Sequence, residues 1–186
     1  MLIALCGRRR SGKDTVATHL VQAHGFRHHK ISQPLKDAMA CLFGFDAADM
    51  ETDRKELVHP AWNVSPRTLM QYIGTDVFRV DIQTVIPGIG DTFWVKRFSE
   101  SVRRSTGDGA PIVVSDLRFM NEYDYLKKEW GDNFRVLRID RSGAHAEDTH
   151  VSELEYQRIP YDALINNAGS IDSLCEQAAA AAFSRS

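Results

Sequence analysis

The stretch Gly7 to Thr15 reads GRRRSGKDT and follows the apolar run LIALC at 2–6. No other feature restricts the fold as much. Five consecutive apolar residues suit a strand buried on both faces of a parallel sheet. After Gly12 the period changes. Val16 and Leu20, with Ala17 and Val21, recur at helical spacing, and Gly25 marks a stop. Strand, glycine loop and helix in that order belong to a layered α/β unit. The loop has the spacing G-x-x-x-x-G-K. Gly7 and Gly12 allow a tight turn whose backbone N–H groups point at phosphate oxygens, with Ser11 between them. The helix N-terminus that follows favours an anion, and Lys13 reaches the β- and γ-phosphates.

One position departs from the usual pattern. Where Ser or Thr would offer a hydroxyl to Mg²⁺, the chain has Asp14, and the hydroxyl comes one residue later at Thr15. A carboxylate is a better ligand for a hard cation, directly or through water. It is also an ordinary first-turn acid that the helix dipole stabilises, and both readings stand. Thr15 likewise reads as a phosphate contact or as a helix-start hydroxyl. Arg8, Arg9 and Arg10 supply positive charge to offset phosphates and carboxylate.

The rest of the chain repeats the alternation. Strands are expected at 27–31, 112–114, 134–139 and 163–165. Helices are expected from Pro34 to Gly44 with Leu35, Met39 and Leu42 on one face, around 69–73, over Trp94 to Val102, over Phe119 to Trp130, and after Ser170 with Ile171, Leu174 and Ala178 inward. Residues 45–66 are polar and weakly periodic, an excursion rather than a linker. The fold class is therefore α/β, with a central, mostly parallel sheet flanked by helices. Ligands of such sheets bind beyond the carboxyl ends of the strands. Ser115-Asp116-Leu117-Arg118 follows the strand at 112–114, so Asp116 stands where a second carboxylate would organise Mg²⁺, or else caps the next helix. Arg118 has the reach to clamp a phosphoryl group. His28 and His29 have no partners at ligand spacing and read as surface or loop residues. Trp94 and Phe98 read as core.

Composition excludes other classes. A formal net charge of -2 argues against a nucleic-acid coat, whose grip is a basic surface. No apolar run approaches a membrane span of about 20 residues. Cys6, Cys41 and Cys175 have neither metal nor redox spacing, as expected of thiols in a reducing compartment. The expectation is a soluble, cytoplasmic protein.

Several stretches in a fixed order resemble the deoxynucleoside monophosphate kinases of bacteriophages. They are GRRRSGKDT at 7–15, ISQPLKDAM at 31–39, SPRTLMQYIGTDVFR at 65–79, FWVKRF at 93–98, IVVSDLRFMNE at 112–122, DTHVSELE at 148–155 and INNAGSIDSL at 165–174. The resemblance covers most of the chain, and an Asp after the loop Lys is normal for that group. It implies a phosphate-loop kinase fold of one domain, with an acceptor-binding helical insertion over about 32–104 and a lid over about 141–160. It implies Mg²⁺-dependent, reversible transfer of the ATP γ-phosphoryl to a deoxynucleoside 5′-monophosphate, and a homodimer. Catalysis then falls to Lys13, Arg118 and Asp116. ATP is held by Gly7, Arg10, Ser11, Gly12, Lys13, Asp14 and Thr15, with Arg141, Asn167 and Gly169 farther along the chain. The acceptor faces Gln33, Lys36, Arg67, Gln71, Thr75, Asp76, Arg79, His150 and Glu153. Metal contacts fall to Asp14 and Asp116.

Two alternatives remain at this stage. Animal-type phosphomevalonate kinases also carry a basic S-G-K-D loop, a P-L-K segment and an S-D-x-R stretch, although SPRTLMQYIGTD and DTHVSELE favour the nucleotide kinase. A non-kinase nucleotide-binding switch is disfavoured by the acidic balance and the lack of a second basic cluster.

Overall fold

The computed structural model describes residues 1–105, 109–141 and 155–184. The chain forms two compact units, Met1–Ile31 with Val102–Ser186, and Ser32–Ser101.

The first unit is built on β1 (Leu2–Cys6), β2 (Arg27–His29), β3 (Ile112–Val114), β4 (Phe134–Asp140) and β5 (Ala163–Asn166). All pairings are parallel, in the order β2-β3-β1-β4-β5. All five residues of β1 are buried, as its central place requires. Helix α1 (Lys13–His24) packs against α7 (Ile171–Phe183) on one face. Val16, Leu20, Leu174 and Ala178 meet Ile3, Leu5, Val113 and Leu137 there. Residues of the opposite parity face the other layer, where Tyr123 of α6 (Met120–Trp130) packs on Phe134. Gly25 ends α1 in the left-handed conformation, and the N–H groups of Gly25 and Phe26 close on the carbonyls of Val21 and Leu20.

This topology sets the place of the chemistry. The connection from β1 leads to β2 on one side, and that from β3 leads to β4 on the other. The carboxyl ends of β1 and β3 therefore flank a topological switch point, where a crevice opens. Gly7 follows β1 and Ser115-Asp116 follow β3 at that edge.

The second unit carries α2 (Gln33–Phe43), α3 (Ala47–Glu51), α4 (Pro66–Gln71) and most of α5 (Phe93–Ser105). Asp46 and Asp49 cap α3 reciprocally, side chain to backbone, and Ser65 caps α4. Its core joins Met39, Phe45 and Met50, with Leu35, Leu69 and Ile73 packed against them. The helix expected around 69–73 is longer than its pattern: α4 runs on through a π-helical stretch, Tyr72–Val80. Thr75 and Asp76 thus lie inside a helical run rather than at its end. Trp94 Nε1 donates to the Gly74 carbonyl at 2.8 Å, and a Cβ on Gly74 would lie 2.8 Å from a Leu35 methyl. A larger residue there would have to displace the Leu35 side chain. Residues 45–66 contain α3, a 3-10 turn at Asp53–Glu56 and a bridge between His59 and Val64.

Two inward assignments change. Leu42 is 66% exposed, because α2 stops at Gly44 and the returning chain sets Phe45 against Met39 instead. Ile171 is 67% exposed, because the first turn of α7 stands at the loop cleft rather than over the sheet. Trp94 and Phe98 are buried, as expected.

Candidate active site

The glycine loop takes the shape its composition allows. Gly7 has φ 141, and a Cβ there would stand 2.2 Å from the Ile139 carbonyl oxygen of β4. Gly12 has φ 108, and its Cβ would meet Asn167 and Leu174 at 2.9 Å. Arg10 also adopts a left-handed φ of 60, and Ser11 N–H closes a turn on the Arg8 carbonyl at 3.2 Å. No side chain caps the N-terminus of α1, which suits an anion. Lys13 is 8% exposed, and its Nζ donates to the carbonyls of Gly7, at 2.7 Å, and Arg8. These carbonyls hold the ammonium at the mouth of the loop.

A cleft of about 360 Å³ opens beside the loop. Arg10, Ser11, Gly12, Lys13, Asp14 and Thr15 line it, with Arg141 after β4, Asn167 and Gly169 after β5, and Ile171 and Leu174 of α7. Of the residues expected to hold ATP, only Gly7 is not in its lining. The Asn167 side-chain amide donates to the Ser11 carbonyl at 2.8 Å, and Arg141 reaches the Arg10 carbonyl at 3.4 Å. Ile171 gives the cleft an apolar side that its helical spacing did not suggest.

Asp14 lies at the centre of a second cluster. The Ser115 hydroxyl donates to Asp14 Oδ1 at 2.9 Å, and Lys30 Nζ approaches the same oxygen at 3.3 Å. Behind Ser115 stands His28, with Nε2 2.8 Å from the hydroxyl oxygen. Partial desolvation opposes the charge on Asp14, but Lys30, Ser115 and His28 outweigh it and hold the carboxyl below its ordinary 3.8. Burial and then the Lys30 charge push His28 below 6.5, against the pull of Asp14 and Asp116. Of the reading of His28 and His29 as surface or loop residues, the surface part holds for the exposed His28, but both lie in β2 rather than in a loop, and His28 is bonded to Ser115. The partner of His28 is brought beside it only by the pairing of β2 with β3.

Asp116 Oδ1 accepts the Ile31 N–H at 2.8 Å, so this carboxylate ties the end of β3 to the chain after β2. Arg118 is half-buried, and the turn carrying it is fixed by the buried Glu122, whose carboxylate accepts the N–H groups of Arg118 and Phe119 at 3.1 and 3.2 Å. Glu122 was missed as a structural support, although an acid three or four residues into a helix after a polar turn is a recognisable capping pattern.

Four acceptor candidates of the second unit, Gln33, Lys36, Arg67 and Arg79, have partners within it. Lys36 pairs with Glu51, and its side chain is only 14% exposed. Arg67 Nε pairs with Glu56, Gln33 donates to Asp37 at 2.8 Å, and Arg79 donates to the Asp91 carbonyl at 3.1 Å. Gln71 and Thr75 are half-buried and Asp76 is exposed. Glu51 and Glu56 come from the excursion that matched no motif. His150 and Glu153, and the lid around them, lie outside the described residues.

A parallel sheet with a glycine loop after its central strand, and a cleft between that loop and the ends of β4 and β5, defines a phosphate-loop nucleotide-binding protein. The sequence pattern of one family within this class, deoxynucleotide monophosphate kinase, matches residues 1–63 and 45–178. The chain belongs to the deoxynucleotide monophosphate kinase family. It is 33% identical to a protein of that name from Acanthamoeba polyphaga mimivirus, over 95% of this chain and 93% of the relative. It is 22% identical to the deoxynucleotide monophosphate kinase of Enterobacteria phage T4, over 93% of this chain and 95% of the phage protein. Among solved structures, a gluconokinase from Sinorhizobium meliloti aligns over 97% of this chain and 90% of its own, at 13% identity and a TM-score of 0.49.

Proposed function

We propose that the chain transfers the γ-phosphoryl group of ATP to deoxynucleoside 5′-monophosphates, with Lys13 and Arg118 as the principal catalytic cations. The observation that carries this reading is the convergence of the phosphate loop, Arg141 and the Asn167–Gly169 turn on one cleft. Lys13 exchanges the carbonyls of Gly7 and Arg8 for phosphate oxygens when the triphosphate enters. The acceptor is already an ionised phosphate, so no strong general base is needed. The task of the protein is alignment and charge stabilisation on the transferring oxygens. Arg118, held by the Glu122-capped turn, supports the reacting phosphates, and Arg10 and Arg141 flank the donor. The second unit takes the acceptor, with Lys36, Arg67 and Arg79 as its cations.

The donor set suits Mg²⁺. Among the described residues no group of three or more His, Cys, Asp or Glu is positioned to hold a metal by itself. Mg²⁺ keeps several waters and is commonly held by one or two carboxylates together with substrate phosphates. The lowered pKa of Asp14 favours its charged form, and among the described residues the Ser115 hydrogen bond and the Lys30 ion pair both fall on Oδ1 rather than Oδ2. Asp14, with Asp116 as a second carboxylate, would hold the metal there. Bound Mg²⁺ supplies neutralising charge at the phosphates.

The test is ADP release with Mg-ATP and each of dTMP, dGMP, dCMP, dAMP, their ribonucleotide counterparts and phosphomevalonate, with the products identified. Stimulation by one or more deoxynucleotides, giving the diphosphate, is expected. Stimulation by phosphomevalonate alone would keep the phosphate-loop assignment and move the acceptor. No stimulation by any acceptor would refute the kinase reading.

A further inference from the structure

A hydroxyl at the position after the loop Lys has a single oxygen to offer. Asp14 puts a carboxylate there, and its terminal torsion is broad and two-fold, so the two oxygens exchange places at little cost. A carboxylate used as a ligand needs something that distinguishes one oxygen from the other. That discrimination comes from the ends of two neighbouring strands at once. Ser115, at the end of β3, gives its hydroxyl proton to Oδ1 at 2.9 Å, and Lys30, after β2, approaches the same atom at 3.3 Å.

The Ser115 hydroxyl has one proton. Because that proton goes to Asp14, the 2.8 Å contact with His28 must run the other way, with the imidazole donating from Nε2. A neutral His28, consistent with its downward-shifted ionisation, is therefore in the Nε2–H tautomer. Ser115 is 3% exposed, and with donor and acceptor both engaged its hydroxyl is fixed in direction. The sequence of donation is His28 to Ser115 to Asp14 Oδ1, with Lys30 as a countercharge on the same oxygen. These contacts join β2, β3 and the first turn of α1, the elements that meet at the switch point.

We infer that His28, Ser115 and Lys30 are positioning residues that lock Asp14 by its Oδ1 and reserve Oδ2 for the divalent cation of the metal–nucleotide complex. This rests on the reading that Asp14 serves the metal. No residue of the relay needs to touch the nucleotide. Its effect is on how well Asp14 binds a metal, with nucleotide affinity in the absence of metal little changed.

The test is Mn²⁺ binding in the presence of ADP, followed by electron paramagnetic resonance, on the full chain and its variants, with ADP affinity measured separately without metal. Asp14→Asn is the reference. Ser115→Ala and His28→Leu are expected to weaken Mn²⁺ binding about tenfold, the scale of lost outer-shell support. ADP affinity without metal should change less than about twofold. Ser115→Thr keeps the hydroxyl and His28→Gln keeps a side-chain N–H, so both are expected to retain most of the affinity. His28 is solvent-accessible, so its two variants keep the test decisive if Ser115 proves intolerant of change. If Asp14→Asn weakens Mn²⁺ binding while Ser115→Ala and His28→Leu do not, the relay is refuted and the metal role of Asp14 survives. If Asp14→Asn itself leaves Mn²⁺ binding unchanged, the metal reading falls and the relay with it.

Discussion

The side-chain amide of Asn167 donates to the carbonyl of Ser11 at 2.8 Å, joining the turn after β5 to the phosphate loop. The bond spans 156 positions of sequence and fixes the loop at a carbonyl rather than at an N–H, so it does not compete with the phosphates. A net hydrogen bond of this kind is worth about 0.5–1.5 kcal/mol. Asn167→Ala should therefore raise the dissociation constant for ATP by about fivefold, with a small change in melting temperature. Calorimetric titration with ATP, paired with a thermal melt, checks this. Unchanged ATP affinity would remove Asn167 from the support of the loop.

Gly7 tests the backbone of the same loop. A methyl group there would lie 2.2 Å from the Ile139 carbonyl oxygen, and backbone cannot move aside as a side chain can. The φ of 141 adds strain for any other residue. Gly7→Ala is expected to lower stability by about 2 kcal/mol or more and to abolish ATP binding. A urea denaturation curve gives the first quantity and nucleotide titration the second. Gly25→Ala separates the two effects, because its φ of 70 brings backbone strain but nothing stands within 4 Å of its added Cβ; it is expected to lose some stability and to keep ATP binding.

How far these features are legible in the sequence depends on the distance over which the information travels. The loop was legible because strand, glycine spacing and helix are local, and the same holds for Ser115-Asp116 at the end of an apolar strand. The lining of the cleft by Arg141 and Asn167 followed from family resemblance, since nothing near those residues in sequence identifies them. The relay behind Asp14 was not legible. His28 and Ser115 are 87 positions apart, and they meet because β3 lies between β2 and β1. Strand order in a parallel sheet leaves no periodic mark on the strands themselves. The misread positions share a cause: Leu42 and Ile171 have helical spacing for the core, but each stands near a helix end, where the neighbouring layer has stopped.

The two histidines of β2 predict a pH dependence of stability. Burial and Lys30 lower His28 below 6.5, and burial and Arg27 lower His29 below the same value. The folded state thus binds fewer protons than the unfolded state in the window below 6.5. Stability is complete above the unfolded value and is lost as pH falls through it towards the folded values. Asp14 acts in the same direction, but its stabilisation is fully present near neutrality and is lost only below 3.8, so it adds no pH dependence in this window. The urea midpoint should therefore fall between about pH 7.5 and pH 5.5, and the fall should be smaller in His29→Gln. An equal fall in that variant would show that His29 is not one of the groups responsible.

Lys13 and Arg118 are expected to fail in different ways. Lys13 Nζ is held against the loop carbonyls of Gly7 and Arg8, so its removal takes away both a phosphate cation and a support of the loop itself. Lys13→Ala should abolish measurable transfer and weaken ATP binding. Arg118 is not in the lining of the ATP cleft, and its backbone is set by Glu122 from a different turn. If it meets the phosphoryl group mainly as charge develops in transit, Arg118→Ala lowers the maximal rate by about 100-fold or more while the dissociation constant for ATP changes by less than about threefold. Glu122→Gln keeps the acceptor oxygen but loses the charge, and should lower the rate less than Arg118→Ala. Single-turnover kinetics with a preferred deoxynucleotide, alongside ATP titration, separates these effects. A loss of ATP affinity matching the loss of rate would assign Arg118 to ground-state binding. An unchanged turnover would remove it from the mechanism.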